Sequence, residues 1–240
     1  MPEPLSPIFA APMPSAERPL GGVTVLLVED SRYASEAVRL LCLKSGARIR
    51  RADCLRTAER HLATYRPTVV LIDLGLPDGS GIDLIARLSG AVPRLSAIVA
   101  ISGEESGREA ALAAGADSFL AKPLSSLAAF QAAVLGALKM GPAALRAVSD
   151  DAVVPDRLAY RDDLSLIRDL LTGEAEPRAV SYAARFLSGI AESAEDTALA
   201  AAAAELRDNV ETGAPTGALL ARVAGLVAQR LAGGEERRLA

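Results

Sequence analysis

Four short apolar runs, each closed by a chemically active residue, set the pattern of the chain from Gly21 to Lys139. Glu29-Asp30 follow Val23-Thr24-Val25-Leu26-Leu27-Val28, and Asp73 closes Val69-Val70-Leu71-Ile72. Ser102 closes Ala97-Ile98-Val99-Ala100-Ile101, and Lys122 follows Ser118-Phe119-Leu120-Ala121. Apolar runs this short, bounded by Gly/Pro-rich stretches and separated by helix-like segments, read as buried strands of a parallel sheet. A further strand is expected at residues 48–52. Between the strands, Ser31 caps a helix to residue 45, with Ala34, Val38, Leu41 and Cys42 at helical spacing, and Gly46 stops it. A second helix is expected over 55–64, with Pro67 ahead of the next strand. Residues 75–81, Gly-Leu-Pro-Asp-Gly-Ser-Gly, read as a turn-rich loop leading into a helix to residue 88. Two more helices are expected, over 107–114 and 124–139. Five such βα units imply an α/β fold, a doubly wound parallel sheet of five strands with right-handed crossovers.

The pattern changes after residue 140. Residues 141–155 read as a linker, and strand-like alternation is absent beyond them. Four helices are expected, over 156–171, 177–191, 195–210 and 216–231. Their apolar stripes are Leu164/Ile167/Leu171, Val180/Ala184/Leu187, Leu199/Ala203/Leu206/Val210 and Leu219/Val223/Leu226. Short connections favour antiparallel neighbours, hence a small all-α bundle over 156–240. Residues 1–20, rich in Pro, Ala and Ser, read as a disordered tail ahead of a domain at 21–140. That tail lacks the basic and apolar regions of a signal peptide. With 3% aromatic residues and no Trp, the packing must be aliphatic. No apolar run approaches the ~20 residues of a membrane span. Two cysteines, Cys42 and Cys54, both expected within helices, fit a reduced, cytoplasmic setting better than a disulfide framework.

In open α/β sheets the ligand crevice lies at the carboxyl ends of the strands. Glu29, Asp30, Asp73, Ser102 and Lys122 therefore converge on one edge, where three carboxylates, a hydroxyl and an amine suit a divalent cation and a phosphoryl group. Mg²⁺ takes one or two carboxylates together with waters and phosphate oxygens. Carboxylates crowded together raise one another's pKa unless a cation is present. Asp73, central on the edge, is the natural nucleophile for an aspartyl phosphate. Lys122 offers a point charge to the incoming phosphoryl group, and the Ser102 hydroxyl can donate to a phosphoryl oxygen. Taken singly, each residue has an ordinary reading as a cap, turn or loop residue. Jointly they do not: of only three lysines in the chain, one falls where this site needs it.

Four motifs carry a resemblance to the response-regulator receiver domain: Val-Leu-Leu-Val-Glu-Asp-Ser at 25–31, Leu-Ile-Asp-Leu-Gly-Leu-Pro-Asp-Gly-Ser-Gly at 71–81, Ala-Ile-Ser-Gly at 100–103 and Gly-Ala-Asp-Ser-Phe-Leu-Ala-Lys-Pro-Leu at 115–124. The resemblance covers about half the chain. It implies the strand order 2-1-3-4-5 known for the chemotaxis receiver. It also implies that Glu29, Asp30 and Asp73 hold Mg²⁺, joined by the backbone carbonyl of Gly75, and that Asp73 accepts a phosphoryl group from a partner's phosphohistidine. Ser102 and Phe119 are then the switch pair, acting on the face built from the fourth helix, fifth strand and fifth helix, and Lys122-Pro123 is commonly cis. The family often has a larger side chain at the position of Gly75, which leaves the dephosphorylation rate open.

The partners so implied are a histidine kinase or phosphotransfer protein. From residue 156 onward there are 10 Arg, no Lys and 14 Asp plus Glu, a balance of 10 − 14 = −4. That argues against a DNA-reading output, so nucleic acid is an unexpected partner. Ala203-Ala204-Glu205-Leu206-Arg207 with Gly213-Ala214 resembles the phosphohistidine helix of histidine-phosphotransfer bundles, but Ala204 stands where the histidine belongs. The only histidine, His61, lies in the first domain. The expected output is a helical protein-interaction module, with a DNA-binding regulator or an adaptor that sequesters a partner as alternatives. No enzymatic activity is expected beyond self-phosphorylation and dephosphorylation. Because small alanine-rich bundles are marginal alone, a homodimer through 156–240 is expected, with Phe186, Leu187, Leu220 and Val223 as contacts.

Overall fold

The computed structural model describes residues 13–140, 152–171 and 177–232. The expected tail and linker therefore lie largely outside the described residues. Five strands, β1 (Thr24–Val28), β2 (Arg48–Ala52), β3 (Val69–Asp73), β6 (Ala97–Ser102) and β7 (Ser118–Ala121), form one parallel sheet in the order β2-β1-β3-β6-β7. Residues 75–81 are more ordered than a loop. Two two-residue strands, β4 (Gly75–Leu76) and β5 (Gly79–Ser80), pair antiparallel, with Gly75 opposite Ser80. Asp78, in the turn of this ribbon, accepts from the backbone N–H groups of Leu55 and Arg56, at 2.8 and 3.0 Å. It thereby satisfies the first orphan donors of α2 (Leu55–Thr64).

The remaining helices of the sheet domain are α1 (Arg32–Ser45), α3 (Gly81–Ser89), α4 (Gly107–Ala113) and α5 (Leu127–Ala137). Ser31 caps α1 by accepting from Ala34, and Gly46 at φ +83° closes it. Cys54 is not within α2 but immediately precedes it, and α5 begins at Leu127 rather than residue 124, capped by Ser126. The segment before α5 is held differently: Val153 donates to the Ser125 carbonyl, and Ala152 bridges Ser126. The last residues of the expected linker thus pack on the sheet domain, and Val153 is buried. Strand alternation splits the sheet's side chains between two cores. Val25, Leu27, Leu71 and Val99 pack with α1 and α5, and Leu26, Val28, Val70 and Ile72 with residues of α2, α3 and α4.

Four helices follow: α6 (Arg157–Leu171), α7 (Pro177–Ser193), α8 (Thr197–Thr212) and α9 (Gly217–Ala232). Their facing stripes make a third core, in which Leu164, Ile167, Ala184, Leu187, Leu199, Ala203, Leu206 and Val223 are fully buried. Three of the four residues expected as homodimer contacts are already covered within one chain. Phe186, Leu187 and Val223 fill this intrachain core, and Leu220 packs against it half-buried. The same apolar stripe that would serve a two-fold interface closes the bundle on itself. Leu187→Ala should therefore cost about 2–5 kcal/mol of stability as a cavity mutation. Denaturant titrations at two protein concentrations check this, since a core residue gives the same loss at both and a dimer contact does not.

Candidate functional site

Every catalytic residue expected from the sequence sits at the carboxyl edge of the sheet. Glu29 and Asp30 lie in the turn from β1 to α1, while Asp73 and Ser102 end β3 and β6, and Lys122 follows β7. The chain leaves β1 toward β2 and leaves β3 toward β6, on opposite sides of the sheet, which makes this the switch point where such folds bind ligands. The turn itself is pinned from outside. The Arg51 guanidinium donates to the carbonyls of Glu29 and Asp30, at 3.1 and 2.6 Å.

The charges are packed tightly. Lys122 Nζ lies 2.7 Å from Glu29 Oε2 and 3.1 Å from Asp73 Oδ1. The Glu29 contact is one of charge, since Oε2 has no well-angled hydrogen bond. Glu29 Oε1 and Asp30 Oδ1 share the backbone N–H of Ser31, at 3.1 and 3.0 Å. Burial pushes the Glu29 carboxyl well above its usual range; the Lys122 charge opposes this, and Asp73 and Asp30 add to it. Burial raises Asp30 as well. Burial alone would lower the Lys122 ammonium, but Asp73 and Glu29 outweigh it, so the amine is held protonated.

One carboxylate oxygen from each of Glu29, Asp30 and Asp73 lies within 4.8 Å of the others. Three carboxylates against a single ammonium leave an excess of negative charge in a site of hard oxygen donors. A divalent cation of the Mg²⁺ class fits that set. Gly75, at the mouth of the site, is exposed, and a Cβ there would come 3.8 Å from Asp73 Oδ2. Glycine leaves this side of Asp73 open to solvent. Gly81 is required for a different reason: a Cβ on it would lie 2.1 Å from the Asp73 carbonyl oxygen. The Ser102 hydroxyl accepts from the Glu104 N–H at 3.0 Å and keeps its own proton to donate. Phe119 is buried, with the Arg108 guanidinium 4.5 Å above its ring. Lys122-Pro123 is cis.

The residues missed from the sequence come from the helical half. Asp163 of α6 sits at the start of α1, where it accepts from the Ser31 hydroxyl (2.8 Å) and from the N–H groups of Arg32 (2.9 Å) and Tyr33 (3.0 Å). Tyr182 of α7 donates to Asp30 Oδ2 at 2.5 Å. Arg207 of α8 stands 3.6 Å from Glu104, just beyond Ser102. The only sequence signal was a polar Asp163 beside the stripe residue Leu164 and an aromatic in an aromatic-poor bundle. Neither pointed to a partner some 130–150 positions away.

Residues 25–134 match the family model of the response regulator receiver domain. Among curated proteins, the KDP operon transcriptional regulatory protein KdpE of Escherichia coli is 40% identical over 101 residues, covering 41% of this chain and 44% of that one. KdpE of Mycobacterium tuberculosis is 34% identical over 113 residues, 46% and 50% of the two chains. The virulence transcriptional regulatory protein PhoP of Salmonella typhimurium is 31% identical over 100 residues, 41% and 45%. The chain thus spans about half the length of the curated relatives it matches. Among solved structures, a response regulator receiver protein from Burkholderia phymatum is 27% identical, covering 50% of this chain and 97% of that chain, with a TM-score of 0.44. Among the described residues, no helix is long and apolar enough to cross a membrane. Residues 25–134 are a response regulator receiver domain, and the residues described beyond them are helical save for short connections.

Proposed function

We propose that this protein is a two-component response regulator that takes a phosphoryl group on Asp73 from a histidine kinase or phosphotransfer protein and signals through its helical half as a protein-interaction module. The observation that carries the reading is the Lys122 ammonium lying between Glu29 and Asp73, beside a carboxylate set suited to Mg²⁺. In the transfer, an Asp73 carboxylate oxygen bonds to phosphorus as the phosphorus–nitrogen bond of the phosphohistidine breaks, and the leaving imidazole nitrogen keeps the electron pair. Glu29, Asp30, Asp73 and the Gly75 carbonyl would hold Mg²⁺, which when bound offsets the charge of the phosphoryl oxygens. Lys122 places a second positive charge there, preorganised by its two carboxylate contacts. The Ser102 hydroxyl is free to donate to the new phosphoryl group, drawing its loop inward and changing the space beside Phe119. Self-phosphorylation and dephosphorylation are the only catalysis this reading requires, and its setting is cytoplasmic.

Incubation with Mg²⁺ and a small phosphodonor tests the acceptor. Wild type should gain one phosphoryl group by intact mass and Asp73→Asn none; equal labelling of both would refute the assignment. A second reading, a transcriptional regulator that contacts DNA, is favoured by the names of the curated relatives. The acidic balance of the helical half does not exclude it, because a local arginine cluster suffices for phosphate contacts. Duplex binding that weakens steeply with salt would favour that reading.

A further inference from the structure

The helical half does not hang free of the receiver. It lies over the phosphorylation edge, and the space left between them is a cavity of about 340 Å³. Glu29, Asp30, Asp73 and Lys122 line one side of it, and Tyr182, Phe186 and Arg207 line the other. Asp73 is buried at its floor. Tyr182, Phe186 and Arg207 stand across this space from Asp73, which leaves room for a cation, its waters and a phosphoryl group beneath the helical half.

Of the contacts that seat the cover, two bear most directly on the site, and they differ in kind. Asp163 fills the anion position at the N-terminus of α1, satisfying two of that helix's orphan donors together with the Ser31 hydroxyl. The Arg32–Asp162 ion pair flanks it but is largely exposed and adds little. Tyr182, by contrast, bonds the same Asp30 carboxylate that the cation needs, through Oδ2, while Oδ1 is engaged by the Ser31 N–H. Asp30 therefore has no oxygen free of a protein donor while α7 is seated.

We propose that the helical bundle is a latched cover on the phosphorylation site, and that Mg²⁺ and Tyr182 compete for Asp30, so that filling the site loosens α7 and exposes Asp73 to a protein donor. The proposal rests on the metal-site reading of Glu29, Asp30 and Asp73, and Asp163 is the part of the latch that the cation does not touch. A reaction order follows. The cation enters first through the open side at Gly75, and the partner docks afterwards.

Isothermal titration of the full chain with Mg²⁺ tests the competition. A hydrogen bond to a charged group is worth roughly tenfold or more in an equilibrium constant. Tyr182→Phe should therefore bind Mg²⁺ about tenfold or more tightly than wild type. Asp163→Ala, which loosens the bundle from a different helix, should shift the affinity in the same direction. Small-angle scattering should show the radius of gyration of wild type rising when Mg²⁺ and beryllofluoride are added, and both variants should be expanded from the start. Unchanged or weaker Mg²⁺ binding by Tyr182→Phe would overturn the competition, since it would mean that the phenol orients Asp30 for the metal. A radius that stays constant with beryllofluoride bound would overturn the cover. The phosphoacceptor reading fails separately: tighter Mg²⁺ binding by Tyr182→Phe without phosphorylation of wild type leaves the latch standing and Asp73 unassigned.

Discussion

Lys122→Ala should lower the unfolding free energy by about 3–5 kcal/mol in metal-free buffer, the cost of removing one partner from a buried ion pair. The side chains involved leave little room for solvent to compensate: Lys122 is 11% exposed, Glu29 1% and Asp73 9%. Without the ammonium, three carboxylates face one another across less than 5 Å. Glu29, already pushed upward by burial, loses the charge that holds it down. Added Mg²⁺ should restore part of the loss, because a divalent cation replaces the missing positive charge at the same carboxylates. Denaturant titrations with and without Mg²⁺ check both statements. An equal loss under both conditions would show that Lys122 acts by packing alone. Phosphoryl uptake should fall by about 10²–10³-fold, the usual effect of removing one preorganised stabilising group.

Gly81→Ala should be nearly as severe, although residue 81 carries no chemistry. Its Cβ would lie 2.1 Å from the Asp73 carbonyl oxygen and 2.9 Å from the Leu74 Cα. Both are backbone atoms, so no side chain can rotate away. The end of β3 or the start of α3 must move, at a cost of about 1–3 kcal/mol for overpacking. Moving β3 moves Asp73 relative to Lys122, and a misplacement of about 1 Å at a reacting group can cost 10²-fold in rate. Phosphoryl uptake should thus drop far more than stability does. Comparing initial rates with melting temperatures separates the two; rates that follow stability alone would show that the backbone contact relaxes harmlessly.

The receiver half was legible because each strand announces itself twice, by an apolar run and by the residue that ends it. Helix α1 was legible from Ser31 and Gly46, its two caps. The ribbon of Gly75–Leu76 and Gly79–Ser80 was not, since a two-residue strand has no periodicity to read. Residues 124–126 look helical in isolation, yet α5 starts only at Leu127. What holds them out of the helix is Val153, a pairing across the break between the two halves. The four C-terminal helices were recovered from their stripes, but a stripe says that a face is covered and not by what. Phe186, Leu187 and Val223 could by their stripes face a second copy, but the chain's own helices cover them. Likewise Asp163 and Tyr182 look like ordinary polar positions of amphipathic helices. Their meaning comes from how the bundle seats on α1 and Asp30, and a few contacts at long separation leave no local trace in the sequence.

The most direct test of the central claim is to locate the phosphoryl group on the chain. Protein labelled by a small phosphodonor with Mg²⁺ is treated with borohydride, which reduces an acyl phosphate to the alcohol and leaves free carboxylates intact, and the peptides are then sequenced by mass spectrometry. The account predicts reduction at position 73 alone, dependent on Mg²⁺. Reduction at position 29 or 30, or at a residue of the helical half, with position 73 unchanged, would contradict it.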